Sequence, residues 1–456
     1  MEEAEKKKGR LSEEIVGAAD MGVDLDESTS SSQMSEVLEV ASLAGHILLE
    51  NGAEISRVED IMSRISTHYG VQGGNFFVIS NGIFTTGSVP EKLRKRGTQA
   101  ECYANVEFIP IKSADLGKVA LVNSLSYDIA SGKYTLLEAK AKLEEIRLRP
   151  QIPLWETILG AAIGAGGFCA IFGGSLIDCA ADFAVGALVC LFSLFVSGRY
   201  LSKIVGNILN AVVTGLVCLL LWRVGFGEHL SNIVIGGIMP LVPGIPFVNG
   251  VRDIANGDYL AGVTRLTDAL LGFLCISLGI AGAFILDGWM WGGMTLLSGV
   301  QVSPQTSSYL AQGAASFIGT VGFAILFSVP RKLRLASGAI GALGWEVYLL
   351  ITRLGPLTPQ LGTLVAAFLI CIMARYAAVW GKVPANIFVL CGIFTLVPGA
   401  GLFWTTYYLL LKSFSPASTS GFAAITISLA IVFGIIFAME LPQKWFSFVA
   451  PRRKKE

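Results

Sequence analysis

Apolar residues follow two different regimes along the chain. Over residues 36–49, Val37, Leu38, Val40, Ala41, Ala44, Leu48 and Leu49 recur at helical spacing, and Asn51-Gly52 ends the run. Ile55, Val58, Ile61, Met62 and Ile65 form a second amphipathic stripe. Residues 76–79, 83–85 and 102–111 are rich in β-branched and aromatic side chains and predict strands. Residues 114–129 and 135–148 predict two further helices, which makes 36–150 a small α+β domain. Beyond it, apolar runs of membrane-spanning length follow one another; a span needs about 20 such residues. They predict ten spans, at 153–173, 176–197, 204–222, 231–250, 259–286, 308–329, 335–352, 357–378, 384–410 and 417–440.

The charges divide the same way. Residues 1–152 carry 17 Lys/Arg and 23 Asp/Glu, whereas 153–450 carry only 13 and 10. The net charge of zero therefore sums two different environments. Segment 1–35 has lysines and serines but no apolar core, so it reads as a disordered lead and not as a signal peptide. Seven of the eight cysteines fall in or beside apolar runs, where a free thiol behaves as a small apolar group. The three histidines show no zinc-type spacing, and no GxxxxGK[ST] or GxSxG occurs. An ATP-driven pump, a metal site and a cofactor are not indicated, and nothing points to nucleic acid.

Loop cations predict the direction of the spans. Thirteen fall on one side (Arg199, Lys203, Arg252, Arg331, Lys332, Arg334, Arg375, Lys382, Lys444, Arg452, Arg453, Lys454 and Lys455) and three on the other, Arg223, Arg353 and Lys412. The richer side is expected to be cytoplasmic and to hold both termini. The partition becomes a 1–35 lead, a 36–150 cytoplasmic domain, a first membrane repeat at 151–287, an outer loop at 288–307, a second repeat at 308–440 and a basic tail at 441–456. Trp289 and Trp291 suit an interface belt. Lys92, Arg94, Lys95 and Arg96 form a basic loop, either solvated or resting on anionic lipid.

The division into repeats rests on an offset of 155. Gly237-Ile238-x-x-Leu241-Val242-Pro243-Gly244 recurs as Gly392-Ile393-x-x-Leu396-Val397-Pro398-Gly399. The same offset carries Gly167-Phe168 onto Gly322-Phe323 and Gly186-Ala187-Leu188 onto Gly341-Ala342-Leu343. Five spans per copy is an odd number, so the second copy would enter the membrane from the opposite side, as in many transporters. Proline removes a backbone donor and breaks a helix. Each Pro-Gly is then either an ordinary kink or a discontinuous helix whose new N-terminus lies near the midplane and favours an anionic group.

Charged residues inside the spans are functional candidates by default. Asp268 in span five and Glu346 in span seven are the foremost proton-relay candidates; Asp178 and Asp182, which share a face of span two near its outer end, are the others. Arg265 and Asp268 have i,i+3 spacing and could pair. Asn249, Arg252 and Asp253 end span four; at the 155 offset Arg252-Asp253 becomes Tyr407-Tyr408. In the polar domain, the cluster Gly52, Glu54, Arg57 and Glu59 reads as a helix start with an i,i+3 pair, or as a regulatory or gating surface.

Three regions resemble the threonine/serine exporter family: LLENGAEISRVE at 48–59, PLVPGIPFVNGVRDIANGDYLAGVTR at 240–265, and the stretch from Val329-Pro330-Arg331 through Gly341-Ala342-Leu343-Gly344-Trp345 to 396–399. The likeness covers about residues 36–440. It implies export of small hydroxy amino acids, threonine and serine, driven by protons across the plasma membrane, and no enzyme activity. Related systems split between two chains are associated with succinate export, which is the alternative. On this reading Pro243, Gly244, Asn249, Arg252, Asp253, Arg265, Pro398 and Gly399 would bind substrate. A membrane-bound enzyme, a sensor and a scaffold are rival classes, and a homo-oligomer is left open.

Overall fold

In the computed structural model, residues 27–71, 74–88, 102–110, 114–292, 308–354 and 358–447 are described. The N-terminal domain opens with α1 (Glu27–Glu50) and α2 (Ile55–His68). Helix α1 starts inside the 1–35 segment expected to be disordered. Its first six residues, Glu27 to Ser32, are polar and carry no apolar stripe, so periodicity could not register them. Strands β1 (Asn75–Ile79), β2 (Gly82–Ser88) and β3 (Cys102–Phe108) form an antiparallel meander, with Phe77 opposite Phe84 and Phe84 opposite Val106. Helices α3 (Leu116–Ala130) and α4 (Leu136–Leu148) complete the domain. Asp115 caps α3 by accepting from the Lys118 amide at 3.1 Å, and Thr135 with Glu138 forms a capping box on α4. The apolar stripes of α1 and α2 meet Val78, Ile83, Val122 and Leu143 in one core. The basic cluster at 92–96 lies outside the described residues.

The remainder is a helical bundle: α5 (Leu154–Ile171), α6 (Leu176–Phe192), α7 (Lys203–Arg223), α8 (Leu230–Ile238), α9 (Gly244–Ala255), α10 (Tyr259–Trp291), α11 (Tyr309–Leu326), α12 (Arg331–Leu354), α13 (Pro359–Gly381), α14 (Asn386–Ile393), α15 (Gly399–Leu410) and α16 (Phe414–Met439). A π-helical turn, Ser193–Ser197, extends α6. Eight of these helices are long and apolar enough to cross a membrane, and the bent pairs α8–α9 (60°) and α14–α15 (45°) bring the number to as many as ten. This is a helical membrane protein preceded by a small domain of helices and three strands. Helix α10 runs on to Trp291, so the start of the expected 288–307 loop is helical, and 293–307 lies outside the described residues.

Element starts repeat at the 155 offset: 154 and 309, 176 and 331, 244 and 399, 259 and 414. Helices α5 and α11, the first of each set, share a seam of small residues. A Cβ on Gly167 would lie 2.6 Å from Gly319 Cα, and one on Gly322 would lie 2.4 Å from the Gly164 amide nitrogen. Gly164 corresponds to Gly319 and Gly167 to Gly322, so each helix presents the same patch to the other. Only glycine permits backbones to approach this closely. Glu156 at the start of α5 ties the halves together through ion pairs to Arg331 and, at 2.9 Å, to Arg334.

The small domain is fastened to the bundle. The Leu116 amide donates to Phe327 O at 3.0 Å, Leu116 and Ala120 belong to the bundle core, and Ala261 of α10 belongs to the core of the small domain.

Candidate functional site

The two breaks have one geometry. Each begins with a 3₁₀ turn, Met239–Leu241 or Phe394–Leu396, followed by a valine with extended backbone. Pro243 (φ −76°, ψ 57°) and Pro398 (φ −77°, ψ 43°) then sit at the centre of inverse γ-turns, closed by Gly244 N–H to Val242 O and Gly399 N–H to Val397 O, both 2.8 Å. Proline suits that φ and has no N–H to lose, and a new helix starts at the following glycine.

The breaks face each other. A Cβ on Gly244 would lie 2.1 Å from the Phe394 ring, and one on Gly399 would lie 3.3 Å from Val242 and 3.7 Å from Met239. Met239 and Phe394 are equivalent at the 155 offset, so each glycine is covered by the same position of the other half. The two helix starts converge, but the space at the α9 start is filled by an aromatic cluster. Phe394 packs against Phe323 at 4.1 Å between centroids, the rings tilted by 32°, with Phe168 at 5.8 Å and Phe327 at 5.9 Å.

The polar residues gather at the far end of α9, against the small domain. Gly52, with φ +84°, turns the chain after α1 in a left-handed conformation that favours glycine. It thereby presents segment 52–56 to the bundle. Asn249 Nδ2 donates to Gly52 O (2.8 Å), Asn386 Nδ2 donates to Asn249 Oδ1 (3.2 Å), and Arg252 donates to Asn386 Oδ1. Arg252 also forms an ion pair with Glu54 at 2.6 Å. Arg265 donates to Asp253 Oδ2 (2.6 Å) and to Ala53 O (3.0 Å), while Asp253 Oδ1 accepts the Ile55 amide at 3.2 Å. Helix α2 has no side-chain cap of its own, so a carboxylate of the bundle meets its positive end. Asn256 reaches Ser56 Oγ at 3.0 Å. Glu54, Asn249, Arg252, Asp253, Arg265 and Asn386 are all buried.

The substrate-type residues of span four and the 52–57 motif, apart in sequence by about two hundred residues, are therefore one network. Arg57 faces Glu54 at 3.7 Å, the expected i,i+3 pair. Glu59 lies apart and accepts the Val78 amide at 3.2 Å; burial pushes its carboxyl above the ordinary value. Asn386 was not singled out in the sequence, where it is one amide at the start of an apolar run. Its partners could not be read from spacing.

Other candidates part company. Asp268 does not pair with Arg265; it meets Lys203 at 2.6 Å on an exposed face. Helix α10 has 33 residues, about 50 Å at 1.5 Å each, so it overhangs a hydrocarbon core of about 30 Å, and Asp268 is its tenth residue. Asp178 completes the capping box that Ser175 opens on α6, accepting the Ser175 amide, and it also accepts from the Glu228 and His229 amides and pairs with the His229 ring nitrogen. Its ligand atoms lie within 4.8 Å of those of Glu228 and His229, but its oxygens are already committed to these donors. Asp182, one turn on, is fully buried, and among the described residues neither carboxylate oxygen has a hydrogen-bond partner, although the Cys169 thiol is beside it. It presses on the first break: Cβ atoms on Gly236 and Gly237 would meet its oxygens at 2.1 and 3.1 Å. Glu346 lies against Gly313, with one buried oxygen unpartnered.

A bundle of apolar helices with eight to ten candidate spans, two of them bent pairs packed on each other at Pro-Gly, is a helical membrane protein. Residues 39–286 match the family model described as "Putative threonine/serine exporter", and 312–440 match a second, "Threonine/Serine exporter, ThrE". The first match alone covers more than half of the chain, and the chain belongs to the threonine/serine exporter family. It is similar to the "Threonine/serine exporter" of Corynebacterium glutamicum, at 22% identity over 88% of this chain and 81% of that protein. It is also similar to the "Probable succinate transporter subunit YjjP" of Escherichia coli, at 23% identity over 57% of this chain and 98% of that one. "Pheromone-regulated membrane protein 10" of Eremothecium gossypii is 24% identical over 62% of this chain and 38% of its own length. No solved structure matches.

Proposed function

We propose that the protein is a secondary transporter that exports threonine and serine from the cytoplasm by alternating access, driven by protons. The observation that carries this reading is the pair of identical Pro-Gly turns packed against each other. Broken backbone at membrane depth is tolerated only where protein or a cavity surrounds it, and such pairs form the moving centre of transporters with inverted repeats. The self-complementary glycine seam supports a pseudo-two-fold relation between two sets of five spans, and an odd number inverts the second. The loop-cation asymmetry supports cytoplasmic termini, so the 52–56 network closes the inner mouth. At the opposite end of the bundle, Trp404 and Tyr407 replace Asn249 and Arg252 at the 155 offset and stack with Phe403 and Tyr408. The two gates differ chemically: polar inside, aromatic outside.

Asp182 is the proton carrier on this account, because an ionised carboxylate there has no counter-charge and it touches the first break directly. Asp268 and Asp178 already have partners. The test is efflux of labelled threonine from proteoliposomes containing the full chain, with succinate as competitor. A succinate exporter remains the second reading, favoured by the likeness to succinate transporter subunits and by two arginines, Arg252 and Arg265, at one mouth. Strong inhibition by succinate, with no threonine flux, would establish it.

A further inference from the structure

Segment 52–55 meets the bundle with two kinds of group. Glu54 brings a carboxylate to Arg252, and Ile55 brings an N–H donor to Asp253. A carboxylate and an N–H donor side by side are what a zwitterionic amino acid offers. The receiving side chains are held in place independently of Glu54. Arg252 is oriented by Asn386, which is oriented by Asn249. Asp253 is oriented by Arg265.

Glu54 is held less completely than its burial demands. Its side chain is 4% exposed, and its Oε2 lies 2.6 Å from Arg252 Nη1 but accepts no hydrogen bond there; its Oε1 is 3.7 Å from Nε of the neighbouring Arg57, an ion pair too long for a hydrogen bond. A buried charge with incomplete hydrogen bonding is costly. A free carboxylate that can turn to meet the guanidinium in its fork geometry makes the better ligand.

We propose that Gly52–Ile55 is a tethered mimic of the substrate. It occupies a zwitterion site in which Arg252, backed by Asn386, takes the α-carboxylate and Asp253 takes the α-ammonium. This inference rests on the transporter reading and deepens it. The site selects an amino acid over a dicarboxylate, because Asp253 Oδ1, the oxygen not taken by Arg265, offers an acceptor to an ammonium and no donor to a second carboxylate. Substrate arriving from the side of the small domain displaces the segment, and its return after release reseals the mouth. The bound amino acid and the docked domain exclude each other.

The experiment uses the full chain in lipid nanodiscs and equilibrium binding of labelled L-threonine, L-serine and succinate. Glu54→Gln weakens the internal competitor while leaving the receiving residues intact, so threonine should bind about tenfold more tightly, the gain expected when a competing closed state is removed. A second variant joins Ser56→Cys with Asn256→Cys, at side chains 3.0 Å apart. Its oxidised form should lose threonine binding and recover it on reduction. Size-exclusion profiles and melting curves establish that each variant is folded. Threonine binding that neither Glu54→Gln nor the oxidised lock alters overturns the inference and leaves the exporter reading standing. Succinate binding tightened by Glu54→Gln, without threonine binding, overturns the zwitterion site and the threonine reading together. No binding of any of the three ligands to any variant also overturns both.

Discussion

Gly244→Ala tests the face-to-face arrangement of the breaks at its tightest point. The added methyl carbon would stand 2.1, 2.6 and 3.1 Å from three atoms of the Phe394 ring. Ordinary carbon–carbon contact needs about 3.5 Å, so the ring must retreat by roughly 1.4 Å. It has no free direction, since Phe323, Phe168 and Phe327 surround it with centroids at 4.1, 5.8 and 5.9 Å. Overpacking of this kind costs about 1–3 kcal/mol. The other half supplies the compensating residue: Met239 occupies the equivalent position and stands 3.7 Å from a Cβ on Gly399. Phe394→Met should therefore recover most of the loss. The assay is thermal unfolding of the four members of a double-mutant cycle, with threonine efflux measured on the same samples. Gly244→Ala should lower both stability and flux, and the double variant should regain most of each. A Gly244→Ala protein as stable and as active as the parent, or a double variant whose losses simply add, would refute the reasoning.

Asp182→Asn should uncouple threonine flux from an imposed pH gradient, whereas Asp268→Asn should change flux little, its exposed pair with Lys203 being worth about 0–1 kcal/mol; flux with and without the gradient separates them. Arg265→Leu leaves the Asp253 carboxylate buried without its counter-ion, a loss of about 3–5 kcal/mol, and should make the junction around residue 53 accessible to limited proteolysis. Burial raises the Asp115 carboxyl above its ordinary value of 3.8, against the opposing Lys118 amide. The folded state thus holds that proton more tightly than the unfolded one, and stability is lost as pH rises from about 3.8 through the raised value. Asp115→Asn keeps the cap and should remove this pH dependence, while Asp115→Ala should cost about 1 kcal/mol at neutral pH, both read by thermal unfolding.

Much of this was legible in the sequence, for stated physical reasons. The apolar runs located eight to ten candidate spans because lipid admits few alternatives, and the 155 offset found both breaks because proline and glycine leave a chemical signature. The i,i+3 rule paired Glu54 with Arg57 correctly and Arg265 with Asp268 wrongly. Arg265 prefers Asp253 on the preceding helix, and Lys203 reaches Asp268 from another. Such choices depend on which helices are neighbours, which spacing along one helix does not contain. The junction was invisible for the same reason: Gly52 and Asn249 meet across about two hundred residues. The start of α1 was missed because a serine run carries no periodicity, although the helix continues through it.

The central claim is that this chain moves an amino acid through the two facing breaks by spending a proton gradient. Purified full-length protein in proteoliposomes loaded with labelled threonine, under an imposed pH gradient, tests it directly. The account predicts uphill threonine movement that collapses when a protonophore dissipates the gradient and that Asp182→Asn no longer couples to it. Threonine and serine that stay inside at every gradient, in vesicles whose protein is demonstrably folded, would contradict it.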